Sequence, residues 1–119
     1  MAAVKDVAFL AYSVRDLPRA EMFYRDVLGL TPAERFGDHW MEFTVGSTTF
    51  GIGNGEALGF IPGKSNGLSL EVDDIEAMRQ RLVDGGAQDV TEIQNWPSCS
   101  ACFASDPEGN RFALHQKKS

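Results

Sequence analysis

With 119 residues, 43% of them hydrophobic and 24% charged, the chain can form one domain with a core and lacks the composition of a disordered segment. The net charge of −6 argues against a nucleic-acid partner, which requires clustered Lys and Arg, and is compatible with a cationic ligand. No apolar run approaches the roughly 18 residues that suggest a membrane span, and the N-terminus lacks the pattern of a signal peptide. The sequence predicts a cytoplasmic protein without a membrane partner.

The first half begins with a strand followed by a helix. The apolar run Val7 to Val14 has the length of a strand, Asp16 stands where an N-cap belongs, and Pro18 suits the first helical turn. Gly29 fits the position that ends the helix. The apolar face of this helix repeats at spacings of three and four residues, through Ala20, Phe23, Tyr24, Val27 and Leu28.

Residues 30–36 form a connector or short strand, and residues 38–52 predict a hairpin around the Gly46-Ser47 turn. Alternation divides its first strand into two faces. One face carries Met41, Phe43 and Val45, and the other carries Trp40, Glu42 and Thr44. Residues 53–66 are rich in glycine and predict a linker between two halves.

The second half repeats the plan of the first. Val14-Arg15-Asp16-Leu17 aligns with Val72-Asp73-Asp74-Ile75, so that each half has an acidic residue directly before its helix. The pattern predicts a strand at 67–73, a helix at 75–84 whose apolar face holds Ile75, Met78, Leu82 and Val83, strands near 88–94, at 99–105 and at 111–116, and a turn at 106–110. We therefore expect an α+β fold in which residues 1–119 form a single domain of two tandem βαβββ modules, about 4–52 and 67–116.

Cys99 and Cys102 form a C-x-x-C pair within a predicted strand. Residues three apart on a strand point to opposite faces, so a disulfide between them would be strained. We interpret them as two ordinary small side chains, with redox or metal use as the alternative.

Three motifs together resemble the vicinal oxygen chelate superfamily, the family of glyoxalases, bleomycin resistance proteins and ring-cleaving dioxygenases. They are Ser13-Val14-Arg15-Asp16-Leu17, then Phe23-Tyr24-Arg25-Asp26-Val27-Leu28-Gly29-Leu30, and Asp106-Pro107-Glu108-Gly109-Asn110-Arg111-Phe112. The resemblance implies that the two modules form a curled mixed sheet around a cleft, and that the protein forms a homodimer. It does not decide between enzymes and proteins that only bind an antibiotic.

The resemblance also implies four positions that bind a metal through His, Glu or Gln in the metal-dependent members. In this chain those positions hold Phe9, Gly51, Gly67 and Ala113, none of which can coordinate a metal. We therefore predict no metal of the family type and no cofactor. A different metal site would have to draw on His39, Glu42, Glu71 and His115.

In the fold that the resemblance implies, alternate residues of each strand face the cleft. The residues of the opposite face of the first strand, Leu10, Tyr12 and Val14, are expected to pack under the helices. Aromatic and charged side chains of this kind suit a flat, partly polar ligand. The alternative for Arg111 is a structural ion pair with Glu42 or Glu71. The predicted ligand-binding residues are Phe9, Ser13, Trp40, Glu42, Glu71, Trp96, Cys102 and Arg111.

Two hypotheses follow. The first is a metal-free protein similar to the bleomycin resistance branch, which binds a cationic or aromatic small molecule and so sequesters an antibiotic. The second is a lyase or isomerase of the glyoxalase/dioxygenase type, which uses Glu42 or Glu71 for acid–base chemistry or a non-standard metal site. A module that contacts partners through its sheet edges is a third alternative.

Overall fold

The computed structural model describes residues 2–55 and 59–118. The first module contains β1 (Leu10–Val14), α1 (Leu17–Met22) with a π-helical continuation (Phe23–Val27), β2 (Thr31–Phe36), β3 (Trp40–Val45) and β4 (Thr48–Asn54). The second contains β5 (Leu68–Glu71), α2 (Ile75–Asp84), β6 (Gln94–Asn95), β7 (Cys99–Ser105) and β8 (Arg111–Lys117). No helix of these described residues is long and apolar enough to cross a membrane.

The strands form two sheets with the same topology. Their orders are β1-β4-β3-β2 and β5-β8-β7-β6, so each sheet has two edge strands and stays open. In each module the first strand pairs in parallel with the last, and the other pairings are antiparallel. This confirms the α+β fold class with two tandem βαβββ modules.

The two helices begin in the same way. Oδ1 of Asp16 accepts a hydrogen bond of 3.1 Å from the backbone N–H of Arg19, and Oδ1 of Asp74 accepts one of the same length from Ala77. Each carboxylate thereby satisfies an N–H that lacks a partner in the first helical turn. Asp16 and Asp74 occupy the same place in the two aligned motifs, which confirms the alignment of the repeat.

Several boundaries differ from the prediction. The first strand begins at Leu10 and not at Val7, and the strand predicted near 88–94 is reduced to Gln94–Asn95. Strand β4 extends to Asn54, into the predicted linker, of which residues 56–58 lie outside the described part of the chain. After Met22 the helix follows π-helical hydrogen bonding, with the N–H of Leu28 donating to the carbonyl of Phe23. The consecutive side chains Phe23 and Tyr24 are both buried there.

One hydrophobic core serves both modules. Helix α1 packs on β3 and β4, and α2 packs on β7 and β8. The ring of Phe23 meets that of Phe112 at 6.1 Å between centroids, which joins the two modules. Met41 and Phe43, which were assigned to one face of the hairpin strand, are both buried. Val83, assigned to the apolar face of the second helix, is exposed, and Leu10, expected to pack under a helix, is exposed as well.

The turn at residues 106–110, called the clasp turn below, joins the second module to the first. Both carboxylate oxygens of Glu108 accept backbone hydrogen bonds, from Arg15 at 2.6 Å and Asp16 at 2.8 Å. Nδ2 of Asn110 donates to the carbonyl of Ser13 at 3.0 Å. Asp106 and Asn110 are fully buried. The third motif of the sequence is therefore an inter-module contact in this structure.

Candidate functional site

A concave groove lies where β1 and β3 meet the segment that precedes β5. This aromatic groove has a volume of about 780 Å³. Grooves of several hundred Å³ with mainly apolar walls are typical of small-molecule sites. Its side-chain lining is Phe9, Leu10, Ala11, Trp40, Phe60, Ile61, Lys64, Ser65 and Asn66.

Phe9 and Trp40 form one wall of the aromatic groove. Their rings meet edge to face, with 5.2 Å between centroids and an interplanar angle of 73°. The indole lies over Gly51 on the neighbouring strand, and a Cβ at Gly51 would overlap the indole atoms. Glycine at this position is therefore what allows the indole to lie flat against the sheet.

A second part of the lining comes from residues 59–66, called the wall segment below. Its tip carries Phe60, 56% exposed, and Ile61, 70% exposed, both facing open space rather than core. The backbone beneath the tip is held firmly. The Oγ of Ser13 donates to the carbonyl of Phe60, Oδ1 of Asn110 accepts from the N–H of Ser65, and the carbonyl of Ser65 accepts from Arg111.

Glu42 lies beside the aromatic groove. Its Oε2 accepts a hydrogen bond of 2.8 Å from Nε1 of Trp40. The carboxylate thereby fixes the indole, and it does not belong to the lining of the groove itself. Lys64 is the one ionisable side chain among the lining residues that the structure describes.

A smaller depression of about 160 Å³ lies on the open face of the second sheet and shares Asn66 with the aromatic groove. The guanidinium of Arg111 lies 5.9 Å from the ring centroid of Phe103. Nη1 of Arg111 donates to the carbonyl of Asp89 at 2.9 Å and to Oγ of Ser105 at 3.2 Å. In these contacts Arg111 pairs with neither Glu42 nor Glu71, in contrast to the alternative of a structural ion pair.

Glu71 and His115 form a hydrogen-bonded pair on the same open face. Oε1 of Glu71 lies 2.6 Å from Nδ1 of His115, and Oε2 accepts from the backbone N–H of Lys117 at 2.7 Å. The Lys117 N–H and the His115 ring together lower the pKa of Glu71 below its ordinary value. The Glu71 carboxylate orients the imidazole through Nδ1, so Nε2 is the ring nitrogen that does not contact Glu71.

The predicted ligand-binding residues do not all reach the aromatic groove. Phe9 and Trp40 line it, and Glu42 supports it. Ser13 is buried, with its hydroxyl bonded under the wall segment. Glu71 and Arg111 lie on the open face of the second sheet.

Two residues of the predicted set lie elsewhere. Cys102 pairs with Leu114 across β7 and β8 and is fully buried in the hydrophobic core, so its placement in the cleft is wrong. Neighbouring residues of a strand point to opposite faces, and on β7 the exposed residue is Phe103, so the adjacent Cys102 points into the core. Trp96 lies in the turn between β6 and β7, where its carbonyl accepts from Nζ of Lys118, and it does not line the aromatic groove. Both cysteines are free thiols.

Of the four positions where the resemblance implies metal ligands, two lie within strands and two directly before a strand. Gly51 pairs with Ala11 on β1, and Ala113 pairs with Ser69 on β5. Gly67 and Phe9 directly precede β5 and β1. Across residues 2–55 and 59–118, no group of three or more His, Cys, Asp or Glu side chains could hold a metal ion.

The sequence matches the glyoxalase-like domain family over residues 9–115, nearly its whole length. The chain belongs to this family, and through it to the vicinal oxygen chelate superfamily. A comparison with curated proteins found no significant match.

Solved structures with the glyoxalase-like fold agree with this assignment. TnmS3, an antibiotic binding protein from Streptomyces sp. CB03234, is 28% identical, with a TM-score of 0.81 and coverage of 99% of this chain and 100% of that one. A glyoxalase/bleomycin resistance protein from the same strain is 26% identical, with a TM-score of 0.78 and coverage of 93% and 100%. Lactoylglutathione lyase from Agrobacterium tumefaciens, at 19% identity, a TM-score of 0.79 and coverage of 97% and 96%, shares the fold alone.

Some residues of the site were not predicted. Phe60 and Ile61 lie in a glycine-rich segment whose composition indicates a linker, and only their size in such a segment hinted at a binding role. Phe103 was missed because Cys102 was assigned to the cleft face, which moved the β7 alternation by one residue. The exposed Phe103 beside Arg111 follows once that phase is corrected.

Proposed function

We propose that this glyoxalase-like protein binds a planar aromatic small molecule in the aromatic groove and acts by sequestering it, without chemical conversion. The observation that carries the proposal is the wall of Phe9 and Trp40, whose rings meet edge to face in a groove that the apolar tip of the wall segment also lines. Aromatic walls supply contact area and favour flat ligands through offset stacking.

The exposure of the groove residues supports a binding role. Phe9 is 49%, Leu10 is 42% and Phe60 is 56% exposed. Isolated apolar residues on a surface are ordinary, but several gathered in one concave site mark a place where a ligand or partner is bound. At roughly 25 cal/mol per Å² of apolar area removed from water, covering these side chains is a substantial driving force for binding.

The comparisons support the class of ligand. TnmS3, which shares the fold over its whole length, is described as an antibiotic binding protein. We extend that role to this chain as binding and sequestration of an antibiotic-like aromatic compound in the cytoplasm. The side chains at the four metal positions support a metal-free mode of binding, since Phe9, Gly51, Gly67 and Ala113 offer no donor atoms.

The open faces of the two sheets support a homodimer as the binding unit. The molecule is flat, with extents of 41 × 39 × 23 Å, and its radius of gyration is 14.8 Å, against about 13.5 Å for a compact chain of this length. A second copy placed over these faces would deepen the aromatic groove. One chain has a mass of 13.0 kDa, and sedimentation analysis should give twice that mass. The mass of one chain alone would contradict this part of the proposal.

The alternative function is an acid–base enzyme, and the Glu71–His115 pair is the observation that favours it. A carboxylate that orients an imidazole is a common arrangement for proton transfer. A ligand recovered unchanged, by NMR, after prolonged incubation with the protein would favour binding alone. Turnover that disappears in His115→Gln would favour the enzyme.

The test of binding uses 9-anthracenemethanol, a neutral planar probe, and isothermal titration calorimetry. We expect Trp40→Ala to weaken binding by about tenfold or more, because an aromatic contact and its buried area are worth about 1–3 kcal/mol. Trp96→Ala is the control, since it removes the same side chain at a position that does not line the aromatic groove. No binding to the parent protein, or equal loss in both variants, would refute the proposal.

A further inference from the structure

We infer that the aromatic groove selects planar aromatic acids, with the Lys64 ammonium as the anchor for a ligand carboxylate or phenolate. The inference rests on the proposed function and adds the charge of the ligand to it. The sequence pointed instead to a cationic ligand, on the basis of the net charge of −6 and of Glu42 and Glu71. The positions of these charges in the structure change that expectation.

The two carboxylates that the sequence assigned to the cleft already have partners. Glu42 already accepts the Trp40 indole N–H at 2.8 Å and does not line the aromatic groove. Glu71 lies on the second sheet, where the Lys117 N–H and the His115 ring engage its two oxygens. Neither carboxylate is therefore presented to a molecule that lies between Trp40 and Phe60.

The described lining of the aromatic groove contains one cationic side chain. Lys64 is exposed and lines the aromatic groove at the end of the wall segment, and it forms no ion pair with any other residue in the described part of the chain. Its polar neighbours differ in availability. Ser65 is engaged through its N–H, carbonyl and hydroxyl, whereas the exposed Asn66 side chain adds a second polar group to the lining.

The charge that a bound ligand experiences differs from the net charge of the whole molecule. At physiological ionic strength, charges are screened beyond about 8 Å, so acidic residues farther than that from the aromatic groove act weakly inside it. Of the charged groups nearby, the Glu42 carboxylate is engaged by the Trp40 indole N–H, whereas the Lys64 ammonium lines the groove and can attract an anionic group of the ligand. An aromatic ring that carries an acidic oxygen at its edge can stack on Trp40 and reach the ammonium together.

The test compares three probes with one ring system: anthracene-9-carboxylate, 9-anthracenemethanol and 9-(aminomethyl)anthracene, which carry −1, 0 and +1 at pH 7. We expect the acid to bind about fivefold tighter than the alcohol, and the amine to bind weakest, since a partly exposed ion pair is worth up to about 1 kcal/mol. Lys64→Gln should bring the acid to the affinity of the alcohol, and Lys64→Arg should retain the preference. Lys117→Gln, which removes the same charge on the second sheet, is the control.

The outcomes separate this inference from the proposed function. If the alcohol binds but the acid has no advantage, if the amine binds tightest, or if Lys64→Gln leaves the acid's affinity unchanged, the inference is wrong and the proposed function stands. If none of the three probes binds, the proposed function fails and the inference fails with it. Raising the salt concentration to 1 M should shrink the preference for the acid, while the alcohol's affinity is not weakened.

Discussion

The Tyr24 hydroxyl donates a hydrogen bond of 2.7 Å to Oδ2 of Asp106, 82 residues further along the chain, and both side chains are fully buried. The bond joins the helix of the first module to the clasp turn of the second. Oδ2 of Asp106 also accepts from Nδ2 of Asn110, and Oδ1 accepts from the backbone of Glu108 and Asn110. The buried carboxylate thus organises the whole turn.

Tyr24→Phe removes the hydroxyl while keeping the ring contacts. We expect the free energy of unfolding to fall by about 1–3 kcal/mol, because a hydrogen bond to a buried carboxylate is lost. Urea denaturation measures the loss. In a double-mutant cycle with Asp106→Asn, the two changes should be less than additive, and full additivity would show that the two side chains do not act together.

Alkaline pH should destabilise the protein through the same tyrosine. Burial, together with the neighbouring Asp106, raises the pKa of Tyr24 well above its ordinary value of 10.0. Below about pH 10 the phenol is protonated in both folded and unfolded states, and its contribution is fully present. Above that pH the unfolded chain releases the proton first, so stability falls as pH rises.

Denaturation midpoints measured between pH 8 and pH 11 check this expectation. The decrease should be shallower in Tyr24→Phe. The pKa of Tyr12 is also raised, chiefly by burial, so some decrease should remain in that variant. An identical slope in the parent protein and in Tyr24→Phe would contradict the prediction.

Glu108 caps the start of the first helix from the other module. Its side chain is only 4% exposed, and it accepts the N–H groups of Arg15 and Asp16. Glu108→Gln keeps the shape but removes the charge and one acceptor oxygen, and we expect a loss of about 1–3 kcal/mol in thermal or urea unfolding. Glu76→Gln, on the first turn of α2, is a control that should change stability by less than about 0.5 kcal/mol.

Gly51→Ala tests the close approach of Trp40 to the sheet. The new Cβ would overlap the indole, so we expect the ring to be displaced, stability to fall by about 1–3 kcal/mol and binding of 9-anthracenemethanol to weaken. Tryptophan fluorescence in a Trp96→Phe background reports on Trp40 alone. In a Trp40→Ala background the same change at Gly51 should cost little stability, and a cost that persists there would mean the overlap with Trp40 is not the cause.

Metal content tests the assignment of the four family positions. After incubation with zinc, nickel, manganese and iron followed by desalting, we expect less than about a tenth of an equivalent to remain, because the side chains at those positions lack donor atoms. Chelator treatment should leave the melting temperature unchanged. Retention of a full equivalent would contradict the prediction and make Glu71 and His115 the first residues to replace.

The elements that the sequence predicted well are those with local physical causes. Asp16 and Asp74 cap their helices because the carboxylate reaches a free N–H three residues later, which is a local interaction. The hairpin faces followed from simple alternation, so Met41 and Phe43 are buried and Trp40 is not. Residues 75–84 form the predicted helix because an N-cap and two glycines bound it.

The features that could not be predicted depend on tertiary contacts. No local pattern shows that the clasp turn binds the first helix, because Glu108 lies 92 residues from Asp16. The partner of Glu71 proved to be His115, 44 residues away and beside it only through β5–β8 pairing. Cys102 was assigned to the cleft because the sequence does not show which of two neighbouring residues on β7 faces it. In the structure Phe103 is exposed and Cys102 is buried in the core.

The anchoring of the wall segment has a consequence for how such a protein can acquire new specificities. Hydrogen bonds to Ser13, Asn110 and Arg111 fix its backbone, while the side chains of Phe60 and Ile61 carry none of the core packing. The atoms that hold this segment in the fold therefore differ from the side chains of the proposed binding surface. Substitutions at the tip can be accumulated and selected without eroding the scaffold, so a library varied at residues 60, 61 and 64 is a practical route to binders for other aromatic compounds.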